Sequence, residues 1–399
     1  MPDSDHLSII RRLTSLPHRG TGTSQEKEAA NIIENILISA KANVERQIFK
    51  TSKTYIWEII VLTVLIAAGL ILGHWFPASS IGIITFCIIS SFLYFDWRSS
   101  PLTLLSPSVE SENIIGRNKR LKKQKINEFV SQDKKHLILM AHYDSAPVSL
   151  LYLPSMVKNF RFSLLINLFL ICFALIISTL GFFAIGQPVI TWLRFILAAY
   201  FLIQGVITSF DYFRYGYTNG AGDNATGVAA AIITAKRLWE NPVAGLDVRV
   251  VLTGAEETGM TGSKAYLKKY RKFMSPDNTF VLNFDSIGDG DLKIITETGS
   301  LSRIRYNNKL VDAAIKTAQA EARFSSVKQA KWSTGDFDTL WFARAGIPSL
   351  TLSAQTKTGS IPNLHRPEDV CENIDKSLPA FSSDFAESLI RQLNRNNDL

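Results

Sequence analysis

Cysteine is scarce in this sequence, and the positions of the few cysteines exclude two kinds of protein. Three cysteines occur in 399 residues, and Cys87 and Cys172 lie inside long apolar runs. Only Cys371 lies elsewhere, so neither a disulfide framework nor a zinc site made of thiolates is expected. Any bound metal would have to be held by histidine, aspartate and glutamate side chains.

Charged residues are missing from two long stretches. Between Ile59 and Phe95 the only residue among Asp, Glu, Lys, Arg and His is His74, and between Phe162 and Leu193 there is none. Each stretch exceeds the ~20 residues of one membrane span and suits two spans joined by a turn. We predict two membrane-crossing helical hairpins, since core helices rarely run so long without a polar face. The spans lie at about 57–76, 80–97, 162–185 and 189–210.

Lysine and arginine are unevenly distributed along the chain, whose formal net charge is +8. They are frequent in the N-terminal arm and between the hairpins, whereas the hairpin turns at 77–80 and 186–188 carry none. By the positive-inside rule, the segments outside the hairpins face the cytoplasm. Arg194 in the fourth span is the exception, and it should reach the far interface or face neighbouring spans. No nucleic acid partner is expected, because no aromatic residues interleave the basic stretch 117–125.

Each hairpin returns the chain to the side that it left, so the remaining segments can form one domain. Strand-like runs at 113–116, 137–141, 248–252, 280–283 and 349–352 alternate with helical runs at 225–239, 262–272, 308–322 and 375–393. This alternation predicts an α/β fold with a mostly parallel mixed sheet sandwiched by helices. The catalytic segments would be 1–54, 98–160 and 212–399, and the hairpins 55–97 and 161–211.

Acids and imidazoles follow the apolar strands, where open α/β sheets build their active sites. Taken singly, a histidine after a strand or an aspartate before a helix is more often structural. Two adjacent glutamates, however, repel each other unless a cation lies nearby. The set predicts two divalent cations about 3.5 Å apart that share a carboxylate. Its members are His142, Asp144, Asp223, Glu256, Glu257, Asp285 and His365.

The segments around these residues resemble the co-catalytic dizinc aminopeptidases, the family of the bacterial leucyl aminopeptidases and of the relatives of glutamate carboxypeptidase. The resemblance is carried by AHYDS, GAGDNATGVA, GAEETGMTGS, NFDSIG, DFDTLWFARAGIPSL and LHRPEDVCENID, which occur in the family's order. LPHRGTGTSQEKEAANIIENIL is similar to the family's opening helix. The resemblance implies a hydrolase that uses a dizinc-activated water to remove N-terminal residues from peptides. The predicted hairpins make it a membrane-embedded member of the family.

Carried over position by position, the resemblance also implies a role for each residue. Two Zn²⁺ ions per chain would be bound, one by His142 and Asp285 and the other by Glu257 and His365. Asp223 would bridge them. Glu256 would be the general base, and Asp144 would orient His142. In the family only a short loop separates the His-x-Asp and Asp-Asn motifs, whereas residues 145–222, with the second hairpin, lie between them here. Because that hairpin re-enters the same face, the ligands can still meet, and the rim of the site should lie close to the bilayer.

Several interpretations stay open beside the aminopeptidase. A glutaminyl-peptide cyclase shares the fold but typically uses one zinc, and a carboxypeptidase or dipeptidase is a further alternative. From another class, the chain could be a catalytically inactive receptor or scaffold, although such relatives usually lose ligands or the base. The stretch 336–338 either lines the pocket or forms a structural loop. The expected partners are a peptide substrate and a lipid bilayer, and the oligomeric state is not indicated.

Overall fold

The protein is built around one mixed sheet. The computed structural model describes residues 5–119, 134–184 and 186–395, and within them nine strands belong to this sheet. In chain order they are β1 (Ala42–Ser52), β2 (Ser108–Asn118), β3 (Lys135–His142), β4 (Leu246–Thr253), β5 (Thr279–Phe284), β6 (Asp291–Thr298), β7 (Ile304–Arg305), β8 (Lys328–Trp332) and β9 (Ser349–Gln355).

The centre of the sheet is parallel and its flanks are mixed. The strand order is β1-β2-β4-β3-β5-β9-β6-β7, and β8 pairs with β6. Strand β3 runs parallel to β4 and β5, and β5 runs parallel to β9. Strands β2 and β6 join this centre antiparallel to β4 and β9. The predicted α/β fold with a mostly parallel mixed sheet is therefore confirmed.

Helices cover both faces of the sheet. Strand β3 shows why, because Leu137, Leu139 and Ala141 pack into one buried cluster while Ile138 and Met140 pack into another. A strand that is buried on both faces has a continuous apolar sequence, as β3 does. The helices are α1 (Asp5–Thr14), α2 (Ser24–Ser39), α3 (Tyr55–Leu72), α4 (Pro77–Phe95), α5 (Leu102–Leu105), α6 (Pro154–Val157), α7 (Phe160–Phe183), α8 (Pro188–Tyr215), α9 (Thr226–Glu240), α10 (Thr261–Tyr270), α11 (Lys309–Ala320), α12 (Leu340–Arg344) and α13 (Leu378–Arg395).

Four of these helices, α3, α4, α7 and α8, are long and apolar enough to cross a membrane. They lie close to the predicted spans, although α8 continues past the predicted boundary at 211 to Tyr215. Helix α3 packs against α4 and α8, and α7 packs against the same two helices, which makes a bundle with its own apolar core. Large apolar side chains such as Phe86, Ile176 and Ile203 are exposed on the outside of the bundle. Membrane crossing itself stays a prediction.

Arg194, the exception in the charge pattern, lies on α8 inside this bundle and is 4% exposed. Its Nη1 donates a hydrogen bond to the carbonyl oxygen of Gly73, at the end of α3, and its Nη2 donates to the carbonyl of Ser178. Carbonyl groups at a helix end lack intrahelical donors and carry the negative end of the helix dipole, so they stabilise a cation. Of the two expected placements, the arginine adopts the one that faces the neighbouring helices.

Candidate metal centre

The seven residues selected from the sequence come together at one edge of the sheet. Strands β4, β3, β5 and β9 are parallel neighbours, so their carboxyl ends lie side by side. The residues lie as follows: His142 at the end of β3, Asp144 just after it, Asp223 in the turn before α9, Glu256 and Glu257 after β4, Asp285 after β5 and His365 after β9.

One group of potential metal ligands consists of His142, Asp223 and Asp285. The Nε2 atom of His142 lies 3.1 Å from Oδ1 of Asp223 and 3.7 Å from Oδ2 of Asp285. The other ring nitrogen, Nδ1, lies 3.2 Å from the main-chain oxygen of Asp144. A carbonyl oxygen can only accept, so this hydrogen bond places the proton on Nδ1 and leaves the lone pair of Nε2 for a metal.

A second group consists of Asp223, Glu257 and His365. The Nε2 atom of His365 lies 3.1 Å from Oε2 of Glu257 and 3.4 Å from Oδ2 of Asp223. Asp223 therefore turns one carboxylate oxygen toward each histidine. This is the arrangement of a carboxylate that bridges two cations.

The residues fit the two zinc ions that the resemblance implies. Their donor atoms are oxygen and nitrogen, which zinc accepts from aspartate, glutamate and histidine. Oε1 of Glu257 is buried and has no hydrogen-bond partner among the described residues, so a cation would satisfy it. Burial raises the pKa of Glu257 to about 7, and the carboxylate of Asp223 adds to this effect while His365 opposes it. A cation would relieve this crowding of carboxylates.

Glu256 lies beside both groups. One of its carboxylate oxygens is within 4.8 Å of ligand atoms of His142 and Glu257. Burial raises the pKa of Glu256 well above its usual value; His142 opposes this shift, while the carboxylates of Glu257 and Asp285 reinforce it. A carboxylate with a raised pKa is better suited to accept a proton near neutral pH.

Asp144 holds the turn that carries the two glutamates. Its Oδ1 accepts a hydrogen bond from the backbone N–H of Glu256 at 3.1 Å, and its Oδ2 accepts one from that of Glu257 at 3.2 Å. The carboxylate is farther from the ring of His142, at 3.6 Å from Nδ1. Asp144 is therefore placed to position both the histidine, mainly through its backbone, and the glutamate turn through its side chain.

Two buried charged residues near Asp223 were not selected from the sequence. Asp369 accepts hydrogen bonds from the backbone N–H groups of Gly222 and Asp223, at 2.6 and 3.1 Å. Arg19 is fully buried and donates to the carbonyl oxygens of Tyr143, Asn219 and Gly220. Both residues lie in segments that carry the resemblance, PHRG and HRPEDV. Nothing local distinguishes them from surface charges.

A cavity of about 200 Å³ opens onto both groups of ligands. Asp336 and Phe337 line it, whereas Asp338 is buried and accepts a hydrogen bond from the hydroxyl of Thr253. The stretch 336–338 therefore lines the pocket with its first two residues and serves a structural purpose with the third. Among the described lining residues there are five acids and no lysine or arginine.

Known peptidases resemble this chain in sequence. Residues 206–388 match the model of peptidase family M28. A probable lipoprotein aminopeptidase, LpqL, from Mycobacterium tuberculosis is 28% identical over 191 residues, which are 40% of this chain and 36% of that protein. The matched region thus spans about a third of the length of this relative.

Solved structures share the fold over nearly the whole chain. A zinc aminopeptidase from Bacillus subtilis, BSAP, superposes with a TM-score of 0.55 at 15% identity, covering 96% of this chain and 93% of the other. A glutaminyl cyclase from Porphyromonas gingivalis superposes with a TM-score of 0.54 at 15% identity, covering 98% and 97%. The match to the peptidase M28 model over residues 206–388 supports a metallopeptidase, which is a hydrolase, and the solved structures show the shared fold.

Proposed function

We propose that the protein is a membrane-anchored aminopeptidase that binds two zinc ions and removes N-terminal residues from peptides. One observation carries the proposal: Asp223 directs its two oxygens to two histidines, each of which belongs to a separate group of ligands. Glu256 lies beside both groups and lines the same cavity. A site with these parts can hold two cations, a water and a scissile carbonyl together.

The residues divide the chemistry between them. His142 and Asp285 would hold one zinc, Glu257 and His365 the other, and Asp223 both. When bound, the ions would lower the pKa of water toward ~7 and polarise the scissile carbonyl. Glu256 accepts the proton of the attacking water, whose oxygen bonds to the carbonyl carbon. As the C–N bond breaks, the leaving nitrogen takes the proton that Glu256 received.

The described lining of the cavity does not suit the carboxyl end of a peptide. A carboxypeptidase or dipeptidase must bind a terminal carboxylate, usually through arginine or lysine, because these cations pair with carboxylates. Within the described part of the chain, the cavity lining offers neither residue. The lack of such a cation in this lining supports an aminopeptidase over those alternatives.

Hydrolysis of aminoacyl fluorogenic substrates tests this function. We expect the purified, detergent-solubilised protein to cleave them, to lose this activity on chelation and to regain it with added zinc, because the reaction needs both ions. N-acetylated substrates are the control and should resist cleavage, since they lack the free amine. Cyclisation of N-terminal glutamine without hydrolysis, at one zinc per chain, would instead identify a cyclase.

The proposed membrane anchoring is supported by the position of the hairpins. Helix α3 begins just after β1, and β2 follows shortly after the end of α4. Helices α7 and α8 likewise lie between His142 and Asp223 in the chain, so the second hairpin also starts from the catalytic domain and returns to it. Both hairpins therefore begin and end at the catalytic domain, and their turns lack lysine and arginine. This arrangement supports a cytoplasmic catalytic domain with four spans.

Labelling of single cysteines tests this topology. In a variant without native cysteines, Ser79→Cys and Gln187→Cys should react with an impermeant maleimide added to intact cells from outside. Thr358→Cys should react only after permeabilisation, because it is exposed on the catalytic domain. Labelling at 358 alone would reverse the orientation, and labelling of only one turn would contradict the two-hairpin arrangement.

A further inference from the structure

The cavity at the metal centre is walled on one side by the four apolar helices of the bundle. This helix-end wall consists of residues from every one of them: Tyr55 and Ile59 from α3, Tyr94 and Phe95 from α4, Phe160 from α7 and Thr208 from α8. The helices thus take part in the substrate cavity and do more than attach the catalytic domain to a membrane.

All four helices contribute at the same end of the bundle. Helices α3 and α7 contribute residues near their beginnings, while α4 and α8 contribute residues near their ends. At a rise of 1.5 Å per residue, Ile59 lies about 6 Å from the start of α3 and Thr208 about 10 Å from the end of α8. The cavity therefore extends along the bundle by about one to two helical turns.

The chemistry of this wall differs from that of the metal centre. The ligand groups supply the carboxylates and imidazoles, whereas the helix ends supply mostly aromatic and aliphatic surface. Trp332 and Phe337 of the catalytic domain add further apolar lining to the same cavity. Asp336, another acid that lines the cavity, is engaged by the indole N–H of Trp97 at 2.9 Å and by the hydroxyl of Thr298. A substrate group that points away from the metal centre thus meets an apolar surface.

We propose that the helix-end wall is the subsite for the side chain of the substrate's N-terminal residue and that it selects large apolar side chains. This inference rests on the proposed aminopeptidase function, which places the first residue of a peptide beside the metal centre. A large apolar side chain gains from burial against this surface. A small side chain leaves the wall uncovered, and a charged one loses its hydration without a partner.

Narrowing the wall from within α8 tests the proposal. Thr208→Trp should lower kcat/KM for phenylalanyl substrates at least about 10-fold relative to alanyl substrates, because pocket volume discriminates side chains by about 10- to 200-fold. Its matched control is Ile207→Trp, one position away, where the native residue is 52% exposed on the outside of the bundle. This variant should keep the phenylalanyl-to-alanyl ratio within about twofold.

A second pair of variants shortens a side chain instead of enlarging one. Its result therefore does not depend on whether the bundle accommodates a tryptophan. Ile59→Ala should reduce the preference for phenylalanyl substrates, whereas Val64→Ala, at a position on α3 that is 49% exposed, should not. An unchanged ratio in both Thr208→Trp and Ile59→Ala, with normal zinc content, would overturn the proposal.

Binding of phenylalanine and alanine hydroxamates to the zinc-loaded protein separates this proposal from the proposed function. Preferential binding of the phenylalanine compound, lost in Thr208→Trp and kept in Ile207→Trp, would support the subsite even if no substrate were hydrolysed. Hydrolysis of aminoacyl substrates with no side-chain preference would support the aminopeptidase and reject the subsite. Absence of hydrolysis together with equal binding of both compounds would reject both.

Discussion

Glu256→Gln is expected to keep both zinc ions and to lose about 10²- to 10⁴-fold in kcat. The amide has nearly the shape of the carboxylate but cannot accept the proton of the attacking water. The ligand groups that share Asp223 do not include this residue, so they remain complete. Elemental analysis and steady-state kinetics on the same preparation measure the two quantities together.

The neighbouring variant Glu257→Gln is the matched control. It changes the same functional group one residue away, but Oε2 of Glu257 lies 3.1 Å from Nε2 of His365, so zinc content should fall. Loss of zinc in Glu256→Gln with retention in Glu257→Gln would mean that the two glutamates exchange roles. Near-normal turnover of Glu256→Gln at full zinc content would reject it as the base.

Asp223→Ala should abolish measurable hydrolysis and weaken the binding of both zinc ions. Its Oδ1 and Oδ2 face different histidines, so one substitution removes a ligand from each group. Loss of a residue that merely supports a ligand costs about 10- to 100-fold in metal affinity, and loss of a shared ligand should exceed this. Isothermal titration with zinc and residual activity are the measurements.

Asp289→Ala serves as the control, because Asp289 is an exposed aspartate in the loop after β5 and belongs to neither ligand group. It should bind two zinc ions and retain activity. If Asp223→Ala lost only one ion and bound the other with unchanged affinity, Asp223 would be a ligand of a single metal and not a bridge.

Local pattern was sufficient to predict the parallel centre of the sheet. The apolar run 137–141 forms most of β3, and the shorter apolar runs 250–252 and 280–282 lie in β4 and β5. Strands β6, β7 and β8 were not predicted. Strand β8 buries only Trp332 among its residues, and β7 has two residues, so pairing with β6 defines them more than their own sequences do.

The candidate site, like the sheet, was predicted from the sequence only in part. Ligand types and their order along the chain are local properties, and all seven selected residues lie at the same edge of the sheet. Arg19 and Asp369 were not selected from the sequence, because their roles depend on hydrogen bonds to segments far away in the chain. A buried charged residue and an exposed one are the same residue type in the sequence, and only their tertiary surroundings distinguish them.

The sequence by itself determined the elements and the chemistry available to this protein. Apolar runs without charge specify long apolar helices, and strand-end acids and histidines without thiolates specify oxygen and nitrogen donors. Tertiary structure alone decided which oxygen of Asp223 faces which histidine, and that the ends of α3, α4, α7 and α8 wall the cavity. The physical reason is that these contacts join residues far apart in the chain. Their distances depend on strand order and helix packing, and the sequence pattern of each segment contains neither.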